Sequence, residues 1–216
     1  MTDSIKRSLI IVGAGGLGRE VVDIVQTLPK GGWREVAFVD DAVPAGKTVH
    51  GVRVLGDRTL LSGMSPDEVE VCIAVGDPVV RKTLVADIAS RGLSFATLID
   101  STALVRPTVS LGCGVIIGAC TFLSCDASIG DHAVVNPGAL IGHDVVIGSY
   151  AVIGGGAALS GGSRVGEGSL IGASAALLHN TVVGDWCTVA MGARVFAAVM
   201  DGQTVLGNPA RPLPGA

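Results

Sequence analysis

From Ile99 to Val195 an aliphatic residue returns at every sixth position without a break: Ile99, Val105, Leu111, Ile117, Leu123, Ile129, Val135, Ile141, Ile147, Ile153, Leu159, Val165, Ile171, Leu177, Val183, Val189 and Val195. Chance does not put seventeen such residues in register. Four positions after each stands a small or β-branched residue, from Ala103, Val109 and Val115 through to Val199. A period of six suits neither an amphipathic helix nor an alternating strand. It is the signature of a parallel β-helix, in which each hexad supplies one short strand and a corner and three hexads close a triangular coil. Residues eighteen apart then stack at the strand spacing of roughly 4.8 Å. The aliphatic position fills the narrow prism, the small position fits near the corner, and Gly or Asn at corners permits positive φ. The hexads make between five and six coils and end where Asp201 breaks the rhythm.

Composition agrees with such a core. Of 216 residues 49% are apolar, but only 3% are aromatic and 32 are glycine, so small aliphatic side chains do the filling. A net charge of -4 without any basic run argues against a nucleic-acid or membrane-surface partner. No residue between Asp144 and Arg164 is charged, yet the glycines and the six-residue rhythm there argue against a membrane span. The N-terminus MTDSIKRSLIIVGAGG lacks the pattern of a signal peptide, which sets the expectation of a cytoplasmic protein. Five cysteines (Cys72, Cys113, Cys120, Cys125, Cys187) without CxxC spacing indicate neither a disulfide framework nor a zinc cluster.

Residues 1–97 lack the period and read as alternating strands and helices: SLIIV, a helix over about 16–28, EVAFVDD, VEVCIAVGD, a helix over about 78–90, then FATLID. The expectation is an α/β, Rossmann-like domain (1–97), a β-helix domain (98–200) and a C-terminal tail (201–216). The turn Gly13-Ala14-Gly15-Gly16-Leu17-Gly18 satisfies GxGxxG between a strand and a helix, with Asp40 and Asp41 after the next strand. Free helix-terminal amides there suit a phosphate or another polar nucleotide group. A second glycine turn, Ala74-Val75-Gly76-Asp77, should lie at the same sheet edge, so two loops converge on one cleft. Fewer than a hundred residues precede the hexads, which favours a mononucleotide-type ligand over a dinucleotide.

Four histidines offer acid–base chemistry. His50, in TVHGVRV, reads as a surface residue. His143, in Ile141-Gly142-His143-Asp144, falls near a corner with its side chain outward, where a solvent-reachable base can sit. His179 holds the same hexad place two coils on, about 10 Å away, and reads as a surface or trimer-contact residue. His132 stands one place further along its hexad and reads in the same way.

With these residues in hand, the chain resembles the hexapeptide-repeat acetyltransferases that act on nucleotide-linked amino sugars, together with related sialic-acid O-acetyltransferases. The likeness runs through GAGGLG (13–18), FVDD (38–41), AVGDPVVRK (74–82), VVNPGALIGHD (134–144), the hexads and GNPAR (207–211). The resemblance implies a left-handed β-helix and a homotrimer with active sites between subunits. Acetyl-CoA would lie along the β-helix, and the N-terminal domain would hold the nucleotide sugar, linked to UDP or GDP. It further implies His143 as general base toward a sugar amine and Asp144 as the carboxylate that stabilises its imidazolium. Asn136 would orient substrate or base. Gly161, eighteen after His143, is the candidate oxyanion donor. Gly15, Gly16, Leu17, Asp40, Asp41 and Gly76 match nucleotide-sugar positions, and Ala173, Met191 and Gly192 match acetyl-CoA groove positions. No metal is expected.

Two departures stand out. Leu17 and Val152 occupy places where many relatives carry histidine. The machinery alone does not choose between an amine of a 4-amino-dideoxy sugar and a sugar hydroxyl, and a non-catalytic nucleotide-sugar-binding scaffold is a further alternative. A zinc-dependent, carbonic-anhydrase-like site using His143 and His179 would need a third histidine shortly after the second, and Thr181 to Asp185 offers none.

Overall fold

The computed structural model describes residues 7–29 and 32–213, in two units that divide between Leu98 and Ile99. Residues 1–6, which open the N-terminal segment read above, and the last three of the expected tail lie outside the described residues.

In the first unit the apolar run SLIIV becomes β1 (Ser8–Val12), buried along its whole length. Helix α1 (Gly16–Thr27) turns Gly18, Val21, Val22 and Ile24 inward, the spacing of one helical face. There follow β2 (Val36–Val39), β3 (Thr48–Val49), β4 (Val52–Gly56), a 3-10 turn over Arg58–Gly63, β5 (Val69–Ile73), α2 (Pro78–Ala89) and β6 (Ser94–Phe95). Asp77 starts α2 by accepting the backbone N–H of Val79 and Val80, and Pro78 sits where its missing N–H costs nothing. The sheet order is β3-β4-β2-β1-β5-β6, parallel except for the β3–β4 hairpin. Because Val12 pairs with Ile73 in parallel register, the loops that follow β1 and β5 leave the sheet at the same edge. The hairpin was not expected: His50 and Gly51, at φ of 48° and 77°, form its two-residue turn. FATLID, expected as one strand, divides between β6 and a separate pair at Leu98–Ile99.

The second unit is a left-handed β-helix. Seventeen two-residue strands, from Leu98–Ile99 to Arg194–Val195, recur every six residues, and each ends on one of the seventeen periodic aliphatics. Pairing is parallel with a step of eighteen: Leu104, Phe122, Leu140, Ala158, Ala176 and Arg194 run up one face. The partners of these residues in each strand, such as Leu123, Ile141, Leu159 and Leu177, point inward and are buried in the core with the small residues Ala127, Ala139, Ala151 and Ala157. Each fully buried Leu or Ile contributes about 1.5–3 kcal/mol.

The corners are uniform. Every sixth residue from Gly114 to Gly192 has φ between 55° and 71°. Where glycine is absent, Cys120, Asp126, His132, Asp144, Tyr150, Ser174, Asn180 and Trp186 take the left-handed conformation, at about 1–2 kcal/mol each. The coil-to-coil ladder outweighs that strain, with bonds such as Asp144 N–H to Cys125 O and Trp186 N–H to Glu167 O.

Residues 201–213, assigned in the sequence to a tail, continue the solenoid. Thr204–Gly207 pairs in parallel with Thr188–Val189, and Ala210–Pro212 folds back on it antiparallel. Here the step shortens from eighteen to sixteen, which is why the rhythm breaks at Asp201 while the sheet does not.

Candidate active site

In the first unit a cavity of about 230 Å³ opens at the sheet edge beneath both glycine loops, with Gly13, Asp40, Asp41, Arg58 and Val75 in its lining. Asp40 organises this edge. Its Oδ2 accepts the backbone N–H of Ala14 at 2.7 Å, and its Oδ1 accepts those of Ala42 and Val43 at 2.8 and 3.0 Å. Partial burial pushes the Asp40 carboxyl up, but these three donors together outweigh it and hold the group below its ordinary value. Asp41 accepts the backbone N–H of Arg58 and pairs with its guanidinium at 3.1 Å. Gly15 and Gly16 are exposed with open space where a side chain would stand, and no side chain caps the start of α1. Leu17 is half-buried on the first turn of that helix. Gly76 is exposed on the second loop, which is held from beneath by Arg81: this arginine is 1% exposed and donates to the carbonyls of Val75 at 2.7 Å and Gly76 at 3.0 Å. Sequence reasoning overlooked Arg58 and Arg81. Arg81 stands within the motif AVGDPVVRK, but its charge suggests an exposed residue, and only its burial reveals the role.

In the second unit His143 and Asp144 share a corner. His143 Nδ1 lies 2.8 Å from Asp144 Oδ2. A carboxylate can only accept, so Nδ1 carries the proton and Nε2 is left as the basic nitrogen. The side chain of His143 is 55% exposed, and its Nε2 faces the α-carbon of Gly161 on the next coil. Asp144 owes its placement to its φ of 57°, which turns it beside the ring of its neighbour.

Gly161 lies directly above. A Cβ on Gly161 would stand 2.5 Å from His143 Cε1 and 2.9 Å from Cδ2, and nearer still to Nε2, so the ring occupies the space a side chain would take. Among the described residues no acceptor is paired with the Gly161 N–H. His179 completes the edge: its ring centroid is 6.4 Å from that of His143, with the planes tilted by 55°. The distance of about 10 Å expected from coil rise is too long, since the His143 ring leans over the bare glycine that separates it from His179.

The remaining candidates lie on other edges. Backbone bonds from Gly156 to Pro137, Ser174 to Gly155 and Gly192 to Ala173 mark a second corner. Asn136, Ala173, Met191 and Gly192 belong to that corner, and His143, Gly161 and His179 to another. Asn136 spends its side-chain NH2 on the carbonyl of Ile153 at 2.9 Å, and Met191 is exposed. Of the other histidines, His132 is buried and stacked on Tyr150 at 5.5 Å. His50 pairs with Asp23 on α1 at 2.7 Å. Among the described residues no group of three or more His, Cys, Asp or Glu side chains could hold a metal ion, and no helix is long and apolar enough to cross a membrane.

Comparison with known proteins follows the same division of the chain. Residues 8–88 match the PglD N-terminal domain, and residues 126–161 and 162–197 each match the bacterial transferase hexapeptide of six repeats. No curated protein sequence matches the chain. Among solved structures, the acetyltransferase domain of PglB from Neisseria gonorrhoeae FA1090, in complex with acetyl coenzyme A, is 34% identical, with a TM-score of 0.92, over 96% of this chain and 100% of that one. PerB from Caulobacter crescentus, in complex with CoA and GDP-perosamine, is 31% identical, with a TM-score of 0.88, over 95% of this chain and 97% of that one. WeeI from Acinetobacter baumannii AYE is 29% identical, with a TM-score of 0.77, over 96% and 100%. The α/β unit, the hexapeptide coils and identity above 30% across almost the full length thus place the chain in the hexapeptide-repeat sugar acetyltransferase family.

Proposed function

We propose that the protein transfers an acetyl group from acetyl-CoA to the amine of a nucleotide-linked 4-amino-dideoxy sugar, with His143 as general base. The observation that carries this reading is the half-exposed His143 side chain, whose Nδ1–H donates to Asp144 and so leaves Nε2 as the nitrogen that can accept a proton. The likeness of both units to PerB, solved with CoA and GDP-perosamine, supports the choice of substrates. Nε2 takes a proton as the neutral sugar amine attacks the thioester carbonyl and the C–N bond forms. The imidazolium is stabilised by the Asp144 carboxylate. The carbonyl oxygen takes up negative charge against the N–H of Gly161. The electron pair then returns, the C–S bond breaks, and the leaving thiolate takes the proton from the His143 imidazolium, giving CoA and restoring the neutral base. In the first unit, the unblocked start of α1 and the 230 Å³ cavity suit a polar nucleotide group such as the diphosphate.

A homotrimer is part of the same reading. Leu104 and Leu140 are 51% and 53% exposed on one strand face, and Leu178 and Phe196 stand exposed beside the next corner. Such a stripe of large apolar groups fits a threefold contact between copies. Asn136 and Met191, on an edge separate from His143, would then serve a base contributed by a neighbour.

The test is thiol release from acetyl-CoA against a panel of UDP- and GDP-linked 4-amino sugars and free sialic acid, with sedimentation to fix the oligomer. Turnover of one nucleotide amino sugar, lost in His143→Ala, is the expected result. Turnover of hydroxyl acceptors alone, or of none, refutes it.

A further inference from the structure

The edge that carries His143 and Gly161 continues to His179, a residue the reaction above leaves unused. Nδ1 of His143 is held by Asp144, and Nε2 lies against the bare α-carbon of Gly161, toward the coil that carries His179. The two ring centroids are 6.4 Å apart. Any group that gives its proton to Nε2 therefore stands beside the second imidazole as well.

A different corner of the same prism shows what that place in the hexad does. At Cys113, Glu167 and Asp185 a backbone N–H occupies the position that Gly161 holds on its own edge. Each is closed by a carboxylate from the next coil: Cys113 N–H donates to Asp131 Oδ1 at 2.9 Å, Glu167 N–H to Asp185 Oδ1 at 2.8 Å, and Asp185 N–H to Asp201 Oδ1 at 2.9 Å. The side chain one coil on is thus placed to reach the amide beneath it. Over Gly161 that side chain is His179, and among the described residues no acceptor is paired with the amide. An aspartate there would plug the N–H. An imidazole instead brings a second N–H donor to the same point.

We infer that His179 is the second donor of an oxyanion site whose first donor is the Gly161 N–H. This rests on the acetyl-transfer reading above. As the C–N bond forms, the carbonyl oxygen accepts the π electron pair and hydrogen bonds from both N–H groups. As the C–S bond breaks, the pair returns to the carbonyl, and His179 keeps its proton throughout.

The experiment is steady-state kinetics of the full-length protein with acetyl-CoA and the nucleotide amino sugar that the wild type turns over, comparing His179→Ala, His179→Gln and His179→Leu. Removing one oxyanion donor lowers kcat about 100-fold. KM for the acceptor is expected to stay within about twofold, since the contact forms only in the transition state. His179→Gln, which retains an N–H donor, should recover about tenfold of the kcat lost in Ala, whereas His179→Leu should recover none. All three should keep the wild-type melting temperature, because His179 is exposed. A His179→Ala kcat within about twofold of wild type, or equal losses in Gln and Leu, overturns the inference and leaves His143 as base untouched. A wild type that acetylates no nucleotide amino sugar overturns the functional reading and this inference together.

Discussion

Replacing Gly161 with alanine probes the active edge through one methyl group. The added Cβ would stand 2.5 Å from His143 Cε1 and 2.9 Å from Cδ2, whereas carbon atoms rest at about 3.5 Å or more. The ring must therefore retreat by about 1 Å, and displacement of a reacting group by that much costs about 100-fold in rate. Stability should scarcely change. Gly161 is not among the positive-φ residues, so alanine fits its backbone, and the shorter list of unfolded conformations favours the variant by about 0.4–1 kcal/mol. Against this stands the weakened His143–Asp144 contact, which at 55% and 65% side-chain exposure is worth at most about 1 kcal/mol. The assay is kcat for thiol release beside a thermal melt, with His143→Ala as the lower reference. A Gly161→Ala variant that melts like wild type but turns over about 100-fold more slowly is the expected result. A kcat within about threefold of wild type would show that the ring's seat on Gly161 is irrelevant to catalysis, and the reasoning would fail.

Three further substitutions separate orientation, nucleotide binding and coil strain. Asp144→Asn keeps an acceptor for His143 Nδ1 and tolerates φ of 57°, so it should fold normally while kcat falls about tenfold through loss of the solvent-screened charge; an unchanged kcat would remove Asp144 from the mechanism. Asp40→Asn leaves the Ala14 N–H without its carboxylate oxygen, and KM for the nucleotide sugar should rise about tenfold with kcat little changed. Because the Asp40 carboxyl is held below its ordinary value, its contribution is complete above the unfolded pKa and disappears as pH falls through the lower folded value; wild type should lose stability below about pH 4 more steeply than Asp40→Asn, and parallel acid melts would contradict this. Gly168→Ala places a Cβ at φ of 63° with the indole Cη2 of Trp186 2.6 Å away; the left-handed strain of about 1–2 kcal/mol should lower the melting temperature by roughly 2–8 °C, and an unshifted melt would refute it.

The solenoid was legible because its period names its own inner positions. An aliphatic at every sixth residue can face one interior only if the chain turns a corner between neighbours, and every periodic aliphatic does close a strand. The corners themselves were hidden: Tyr150 and Trp186 give no sign in the sequence that they adopt positive φ, since the ladder above and below imposes it. The β3–β4 hairpin escaped for a related reason, its turn being His50-Gly51 rather than the Asn-Gly or Asp-Gly that advertises such turns. In the candidate site, a motif marks His143 and the coil spacing marks Gly161, but the close approach of His179 follows from a ring leaning over the bare glycine, which coil rise alone does not reveal. Arithmetic available in the sequence was more informative than it looked. Residues share an edge when their numbers differ by eighteen, so His143, Gly161 and His179 line up, while Ala173 and Met191 align with Pro137 and Gly155 on another edge. If the acyl donor is held at Ala173 and Met191 and the proton is taken at His143, no single prism presents both along one groove. The proposed trimer answers that arithmetic directly, because apposing one copy's His143 edge to its neighbour's Met191 edge is the way a triangular solenoid can bring them to a shared cleft.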